Sequence, residues 1–186
     1  ISPYVTGETM DNVNWSLYFN KLGGTGTQAS DCGESGDPLH SYVGANARSI
    51  AGTEWDAATK ERGSNWHIPT SAQIKELINK DNCDWVWTTD YLGDGTGIKG
   101  YKVTSKKEGY TDKSIFLPVV GRRDGTGYYE KPPFENGYYW CSQTPQGSNA
   151  QRGLNMKFDK SSISEPGSSF YSIRYYGLAI RPVKDK

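Results

Sequence analysis

The sequence is short of cysteine, histidine and aliphatic residues. Its 186 residues include 3 Cys and 2 His, and Leu, Ile, Val and Phe together contribute 31. Cys32, Cys83 and Cys141 lie far apart and form no Cys-x-x-Cys pair, and with only two histidines we predict no zinc site. We also predict no other metal and no cofactor. The three cysteines allow one disulfide with one free thiol, or no disulfide, and the sequence does not choose between these states.

An excess of charge is also lacking, because 21 basic residues balance 21 acidic ones. A binder of nucleic acid or of an anionic membrane needs surplus Lys and Arg, so we expect neither partner. The longest apolar run, at 115–120, is far below the ~18 residues of a membrane span. The chain begins at Ile1 without a Met, and we expect that an export signal or an upstream domain has been removed.

Aromatic residues take the place of the missing aliphatic ones. The chain has 6 Trp, 13 Tyr and 5 Phe, and each of these side chains can bury a large area. With zero net charge, this composition is typical of a folded protein rather than a disordered one. We therefore predict a single domain over residues 1–186, in which residues 1–12 form a linker or the end of an upstream region.

Two helices are predicted in the first half of the chain. The segment 53–56, Thr-Glu-Trp-Asp, fits the Ser/Thr-x-x-Asp/Glu start signal, and Gly63 can end that helix with a positive φ. Pro69 excludes helix just upstream of Thr70, which caps a second helix with Gln73 as its reciprocal partner. The apolar stripe of the second helix consists of Ile74, Leu77 and Ile78.

A period of two residues predicts strands elsewhere. Val13–Phe19 alternates before the helices. Tyr101–Ser105 and Ser114–Val120 are predicted to form a hairpin whose loop is longer than two residues. Pro118 should stand at a strand end, where no backbone donor is needed. Two early helices followed by antiparallel strands predict an α+β domain. Two further strands are predicted at Leu154–Phe158 and Leu178–Val183.

Residues that could carry catalysis have simpler interpretations. Asp94–Gly97 and Asp124–Gly127 lack the oxygen ligands of a calcium loop, and Asp-Gly is a common turn pair. Cys141 has no histidine beside it in sequence, so we predict a small buried residue on a strand. We expect His67, between Trp66 and Ile68, to pack or to form hydrogen bonds. No catalytic residue is predicted.

Aromatic residues are concentrated in two stretches of the C-terminal third, at 128–140 and at 170–176. About half of the rings must form the core, because aliphatic residues are few. Exposed rings beside Gln, Asn, Arg and Ser are typical of surfaces that bind proteins or sugars. The alternative is that two aromatic-rich strands only pack against each other.

An ordered set of motifs resembles a known bacterial family. Residues 66–70, Trp-His-Ile-Pro-Thr, followed by Ile74 and Leu77, resemble the Trp-Arg-x-Pro-Thr helix entry of the Fibrobacter major paralogous domain family of Bacteroidetes surface proteins. In this chain His67 replaces the arginine. The matches run in order from about residue 13 to residue 183. Further segments that fit the pattern are 100–106, 115–121, 137–140 with Ser142, and 176–183.

The resemblance implies a C-type-lectin-like fold of the formylglycine-generating-enzyme type, with two helices and small antiparallel sheets. Its N- and C-terminal strands would pair, which here means Val13–Phe19 beside Leu178–Val183. Proteins of this kind are exported, as outer-membrane lipoproteins, as pilus-associated adhesins or in secreted form. Some relatives are the variable proteins of diversity-generating retroelements, which bind different ligands through varied C-terminal residues.

By this resemblance we expect a non-enzymatic binding domain for a protein or a carbohydrate. The alternatives are an oxidase or hydrolase on the same scaffold, or a structural module of a pilus or surface lipoprotein. The oxidase branch uses a cysteine pair near its C-terminus, where this chain has Cys141 alone. Calcium-dependent lectins need an amide side chain that Glu165–Gly167 lacks, so no calcium is expected. The ligand-binding candidates are Trp140, Gln143, Gln146, Asn149, Gln151, Arg152, Asn155, Tyr171, Arg174 and Tyr175.

Overall fold

The structure, a computed structural model, describes residues 49–52, 56–124, 127–128, 133–143, 145, 152–167, 170–173 and 176–185. The predicted linker 1–12 and the predicted strand Val13–Phe19 lie outside these residues. The helices of the described part are α1 (Ala57–Arg62) and α2 (Ser71–Ile78). Its strands are β1 (Trp66–His67), β2 (Cys83–Thr88), β3 (Gly100–Ser105), β4 (Ser114–Pro118), β5 (Arg123–Asp124), β6 (Gly127–Tyr128), β7 (Gly137–Trp140), β8 (Arg152–Phe158), β9 (Ile163–Ser164), β10 (Tyr171–Ile173) and β11 (Val183–Lys184).

The strands form small antiparallel sheets, which confirms the predicted α+β class. One sheet has the order β2-β3-β4. A second has the order β10-β8-β7, with β9 also paired to β8. Two short ladders, β1-β11 and β5-β6, complete the described pairing. Helix α2 packs on β8, so the core lies between this helix and the two larger sheets.

Helix α2 begins as the sequence predicts. The Thr70 hydroxyl accepts a hydrogen bond from the Gln73 backbone N–H (3.2 Å), and the Gln73 side chain accepts one from the Thr70 N–H (2.9 Å). This capping box satisfies two donors that the first helical turn cannot pair internally. Ile74 is buried, and Leu77 and Ile78 pack half-buried against the core. The predicted apolar stripe is confirmed.

The start predicted for α1 at Thr53 is wrong. The helix begins at Ala57, and Asp56 is its N-cap, while Thr53–Trp55 lie outside the described residues. Asp56 is the last residue of the predicted start signal, but in the structure it is the N-cap, because its carboxylate accepts hydrogen bonds from the first-turn N–H groups. Gly63 ends the helix with φ of 94°, as predicted.

The Asp56 carboxylate is fully buried and joins three segments. Its Oδ1 accepts hydrogen bonds from the N–H groups of Ala58 (2.8 Å) and Thr59 (3.2 Å) in α1. Its Oδ2 accepts from Gly52 (3.0 Å) and from Ile68 (2.9 Å), which directly follows β1. Four backbone donors are thus satisfied by one side chain, and hydrogen bonds to a charged acceptor are the strong ones.

The predicted hairpin is confirmed as β3 and β4. Tyr101 pairs with Leu117 and Val103 with Ile115. Strand β4 ends at Pro118, two residues before the predicted end, so the proline stands at a strand end as predicted. Strand β8 confirms the predicted alternation, since Met156 and Phe158 are buried and Leu154 packs against the core.

The last predicted strand is only partly correct. Val183 pairs with His67 and Lys184 with Trp66, whereas Ala179 makes a single parallel bridge to Tyr139. Pro182 breaks the run because it lacks a donor. The predicted partner of this strand, Val13–Phe19, lies outside the described residues.

His67 forms hydrogen bonds, as expected from its position between Trp66 and Ile68. Its Nδ1 lies 2.8 Å from the Ile68 carbonyl oxygen, and its Nε2 lies 3.2 Å from a carboxylate oxygen of Asp185. Both ring nitrogens therefore have partners, and the ring ties β1 to the residue after β11.

Phe158 stands at the centre of the core and connects the two larger sheets. Its ring centroid lies 5.8 Å from that of Tyr139 on β7, within its own sheet. Tyr101 and Trp85 of the other sheet contact it edge-on, at 5.5 and 6.4 Å. Aromatic pairs at such distances contribute about 0.5–1.5 kcal/mol each beyond their burial. This cluster compensates for the scarcity of aliphatic residues.

Gly137 is required where β7 passes Phe158. A Cβ at this position would overlap the Phe158 ring, with Cε2 only 2.6 Å away. We expect Gly137→Ala to lower the free energy of unfolding by about 1–3 kcal/mol, because the tightly packed ring must shift. Gly167→Ala is the matched control, since a Cβ there meets nothing within 4 Å. Urea denaturation of both variants measures the difference, and equal midpoints would contradict the packing role of Gly137.

The variant Asp56→Asn tests how much the hydrogen bonds of the Asp56 carboxylate contribute to stability. An amide presents one acceptor oxygen, so at least one pair of backbone donors loses its partner. Leaving buried donors unsatisfied costs about 1–3 kcal/mol each, and we expect the free energy of unfolding to fall by at least about 2 kcal/mol. Asp112→Asn, which changes an exposed carboxylate paired with Lys113, should shift it by less than about 0.5 kcal/mol. Thermal or urea unfolding monitored by circular dichroism distinguishes the two.

Candidate ligand-binding surface

The predicted ligand-binding residues are divided between the faces of one sheet. Five of them, Gln146, Asn149, Gln151, Arg174 and Tyr175, lie outside the described residues. The other five lie on or beside β7, β8 and β10. Because side chains alternate along a strand, Arg152 and Asn155 of β8 point to opposite faces. A single flat surface cannot include both side chains.

Trp140 and Asn155 are inside the protein. They lie opposite each other on β7 and β8, and their exposed fractions are 0% and 3%. Tyr138 on the same face is also buried, so this face is covered. The expectation that Trp140 and Asn155 contact a ligand at the surface is corrected accordingly. The physical reason is that aromatic residues, in a chain with few aliphatic ones, are needed to fill the interior on both sides of the sheet.

Gln143 supports α2. Its side-chain oxygen accepts a hydrogen bond from the backbone N–H of Ser71, the first residue of the helix, at 2.7 Å. Its backbone carbonyl accepts from Leu154 at 2.8 Å. The side chain thus satisfies one of the N–H groups that a helix N-terminus leaves unpaired. Gln143 is half-buried and has a structural role in the described part of the chain.

Arg152 and Tyr171 come together at the end of the sheet. The guanidinium carbon of Arg152 lies 4.5 Å from the centroid of the Tyr171 ring, and both side chains are half-buried. Tyr171 pairs with Leu154, and Arg152 lies two positions from Leu154 on β8. Arg152 and Tyr171 are therefore on the same face of the sheet as Leu154, which packs against the core. Strand β10 is the outer strand of the sheet within the described residues. Phe170, next to Tyr171, is 38% exposed.

A second group of cations and rings was not predicted. The Arg122 guanidinium lies between Tyr138 and Tyr176, at 5.0 and 4.8 Å from their ring centroids. Lys157 approaches the same Tyr138 ring at 5.7 Å, as expected for residues that face each other on β7 and β8. All four residues of β7 are buried, so this strand has no alternating pattern from which its pairing could be predicted.

Among the described residues, the C-terminal third therefore displays fewer rings than its composition suggests. Tyr138, Tyr139, Trp140 and Phe158 are buried, while Tyr171 and Tyr176 are half-buried. The most exposed large apolar side chains of the described residues lie elsewhere. They are Val86, Leu92, Tyr110 and Tyr91, whereas Phe170 is exposed to the same 38% as Ile98.

The thiols of the described residues are not activated. Cys83 and Cys141 are free, and Cys141 is fully buried as predicted, although it directly follows β7 and does not lie on a strand. Burial raises the pKa of the Cys141 thiol well above its usual value, and burial with the nearby Asp84 carboxylate raises the pKa of Cys83. Raised pKa values keep both thiols protonated near neutral pH, where the thiol is a poor nucleophile.

The described residues include no group of three or more His, Cys, Asp or Glu side chains that could hold a metal ion. In this part of the chain, neither helix has the length and apolar character needed to cross a membrane. Comparisons of the chain with protein-family models, with curated proteins and with solved structures found no match.

Proposed function

We propose that the chain is an exported, non-enzymatic binding domain with a C-type-lectin-like fold, which recognises a protein or a glycan through its C-terminal third. It belongs at the cell surface or among secreted proteins, as the sequence resemblance implies. The stacked pair of Arg152 and Tyr171 on neighbouring strands is the observation that carries this proposal.

The pair has the properties of a preorganised contact. A Tyr ring offers a large rigid surface at low cost in conformational entropy, and the guanidinium carries five hydrogen-bond donors. The stacking keeps the two planar groups together before a ligand arrives, and preorganised groups lose less freedom on binding. Tyr and Arg are also among the residues most enriched at energetically important positions of interfaces.

The position of the pair supports a larger surface around it. Both residues are half-buried, so part of each side chain remains accessible. Gln151 directly precedes Arg152, and Arg174 and Tyr175 directly follow β10. These three candidates are thus sequence neighbours of the observed pair, and the proposed surface is built around Arg152 and Tyr171.

Replacement of this pair tests the proposal. Glycan and protein arrays probed with the wild-type protein first identify a ligand, and its affinity is then measured for Tyr171→Ala and Arg152→Ala. We expect each variant to bind about tenfold more weakly or worse, because truncation of an interface Tyr or Arg typically costs more than 1 kcal/mol.

Tyr110→Ala is the matched control for this experiment. Tyr110 is also a tyrosine ring beside a cation, with Lys107 at 6.0 Å from its centroid, but it lies in the loop between β3 and β4. The Tyr110→Ala variant should bind the ligand with the affinity of the wild type. Unchanged affinity in both Tyr171→Ala and Arg152→Ala, with native circular dichroism, rejects the proposed surface.

A structural module of a larger surface assembly is the second candidate. The outer face and adjoining loop of the β2-β3-β4 sheet display Val86 and Leu92, which are 60% and 58% exposed, and the Tyr91 ring stacks on Phe116 at 3.8 Å. Apolar side chains grouped in this way favour contact with a neighbouring protein. A structural module would bind no arrayed ligand through Tyr171, so the array experiment separates the two functions.

A further inference from the structure

A cleft of about 770 Å³ lies among α2, the β2-β3-β4 sheet and the C-terminal segment. Pockets for small organic ligands typically have volumes of about 300–1,000 Å³ and apolar linings with a few polar groups. The cleft shares no lining residue with the Arg152–Tyr171 surface. It is therefore a separate candidate site, and no pattern in the sequence indicated it.

The interior of the cleft is apolar. Ile74 of α2, Leu117 of β4 and Met156 of β8 contribute to its lining and belong to the buried core. Leu77 and Pro182 also line it, from α2 and from the C-terminal segment. Leu77, Ile115 and Pro182 of the lining are only half-buried. A ligand body of aliphatic or aromatic carbon would remove their remaining apolar surface from water, which favours binding.

Arg181 supplies positive charge to the lining. It is exposed, and among the described residues it has no carboxylate within ion-pair distance. Tyr139 is another lining residue, and burial raises the pKa of its phenol. The nearby positive charge of Arg181 opposes that rise. The Arg181 charge is thus felt inside the cleft, where a planar donor group is suited to bind a carboxylate.

The other charges of the lining come from different elements. Glu76 belongs to α2, Asp81 follows that helix, and Lys107 follows β3. Lys107 lies beside the Tyr110 ring, and Arg181 lies next to Pro182 and Val183 in the segment that pairs with β1. Because Glu76 and Asp81 disfavour an anion near themselves, the carboxylate of a ligand would be directed to Arg181.

We propose that this cleft binds a small amphipathic carboxylate, whose apolar body lies against Leu77, Ile115 and Pro182 and whose carboxylate pairs with Arg181. The ligand class follows from an apolar interior combined with a guanidinium that has no carboxylate partner among the described residues. This proposal does not depend on the function proposed for the Arg152–Tyr171 surface.

Isothermal titration with decanoate tests the charge pairing. Decanoate should bind the wild type saturably, and Arg181→Gln should weaken binding by about tenfold or more, because the variant loses a charge-assisted hydrogen bond to the carboxylate. Arg181→Lys keeps the charge and should retain most of the affinity. Arg62→Gln is the matched control, since Arg62 stacks on Trp66 away from the cleft. Decyltrimethylammonium, with the opposite charge, should bind the wild type more weakly than decanoate.

Cys83 provides a second readout that needs no variant. Its free thiol lines the cleft, so a bound ligand should slow its alkylation by a maleimide in mildly alkaline buffer. Mass spectrometry of the Cys83 peptide, with and without decanoate, measures this protection. The proposal is supported if the wild type binds decanoate saturably, Arg181→Gln loses this binding, and decanoate protects Cys83 of the wild type from alkylation. Absence of saturable binding, equal affinity in Arg181→Gln, or an unprotected Cys83 overturns it.

Discussion

The contact of Phe158 with the rings around it is the interaction on which the rest of the structure depends. It stacks on Tyr139 within its own sheet and meets Tyr101 and Trp85 of the other sheet edge-on. A chain with so few aliphatic residues must bury area through large planar side chains, and such rings pack only in certain relative orientations. Gly137 is a consequence of this packing, because the ring occupies the space that a side chain on β7 would need.

A second constraint comes from a single carboxylate. Asp56 accepts hydrogen bonds from the segment before α1, from α1 itself and from the residue after β1. The segment after β1 leads through Pro69 into α2, whose first N–H is bound by Gln143. Both helices are thus held by side chains from outside their own turns, which short helices require because they are marginal alone. The position of α2 in turn forms one wall of the apolar cleft.

The candidate surface shows how strand geometry selects among residues that look equivalent in sequence. Arg152 and Asn155 are both polar residues of β8, but their separation of three positions places them on opposite faces. Asn155 and its neighbour across the sheet, Trp140, become part of the interior. Arg152 instead meets Tyr171, a contact that exists because β10 pairs with β8. The prediction of β8 was correct, yet the faces could not be assigned without its partners.

Local signals in the sequence were sufficient for the α2 capping box, the β3-β4 hairpin and the alternation of β8, since each depends on residues close together in the chain. The burial of Trp140, the role of Asp56 as a cap and the pairing of β11 with β1 were decided only by the tertiary structure. These features depend on contacts between residues that are distant in sequence, and a local pattern does not specify which segments meet. The cleft and its arginine belong to the same category, because their lining comes from helix, sheet and C-terminal segment together.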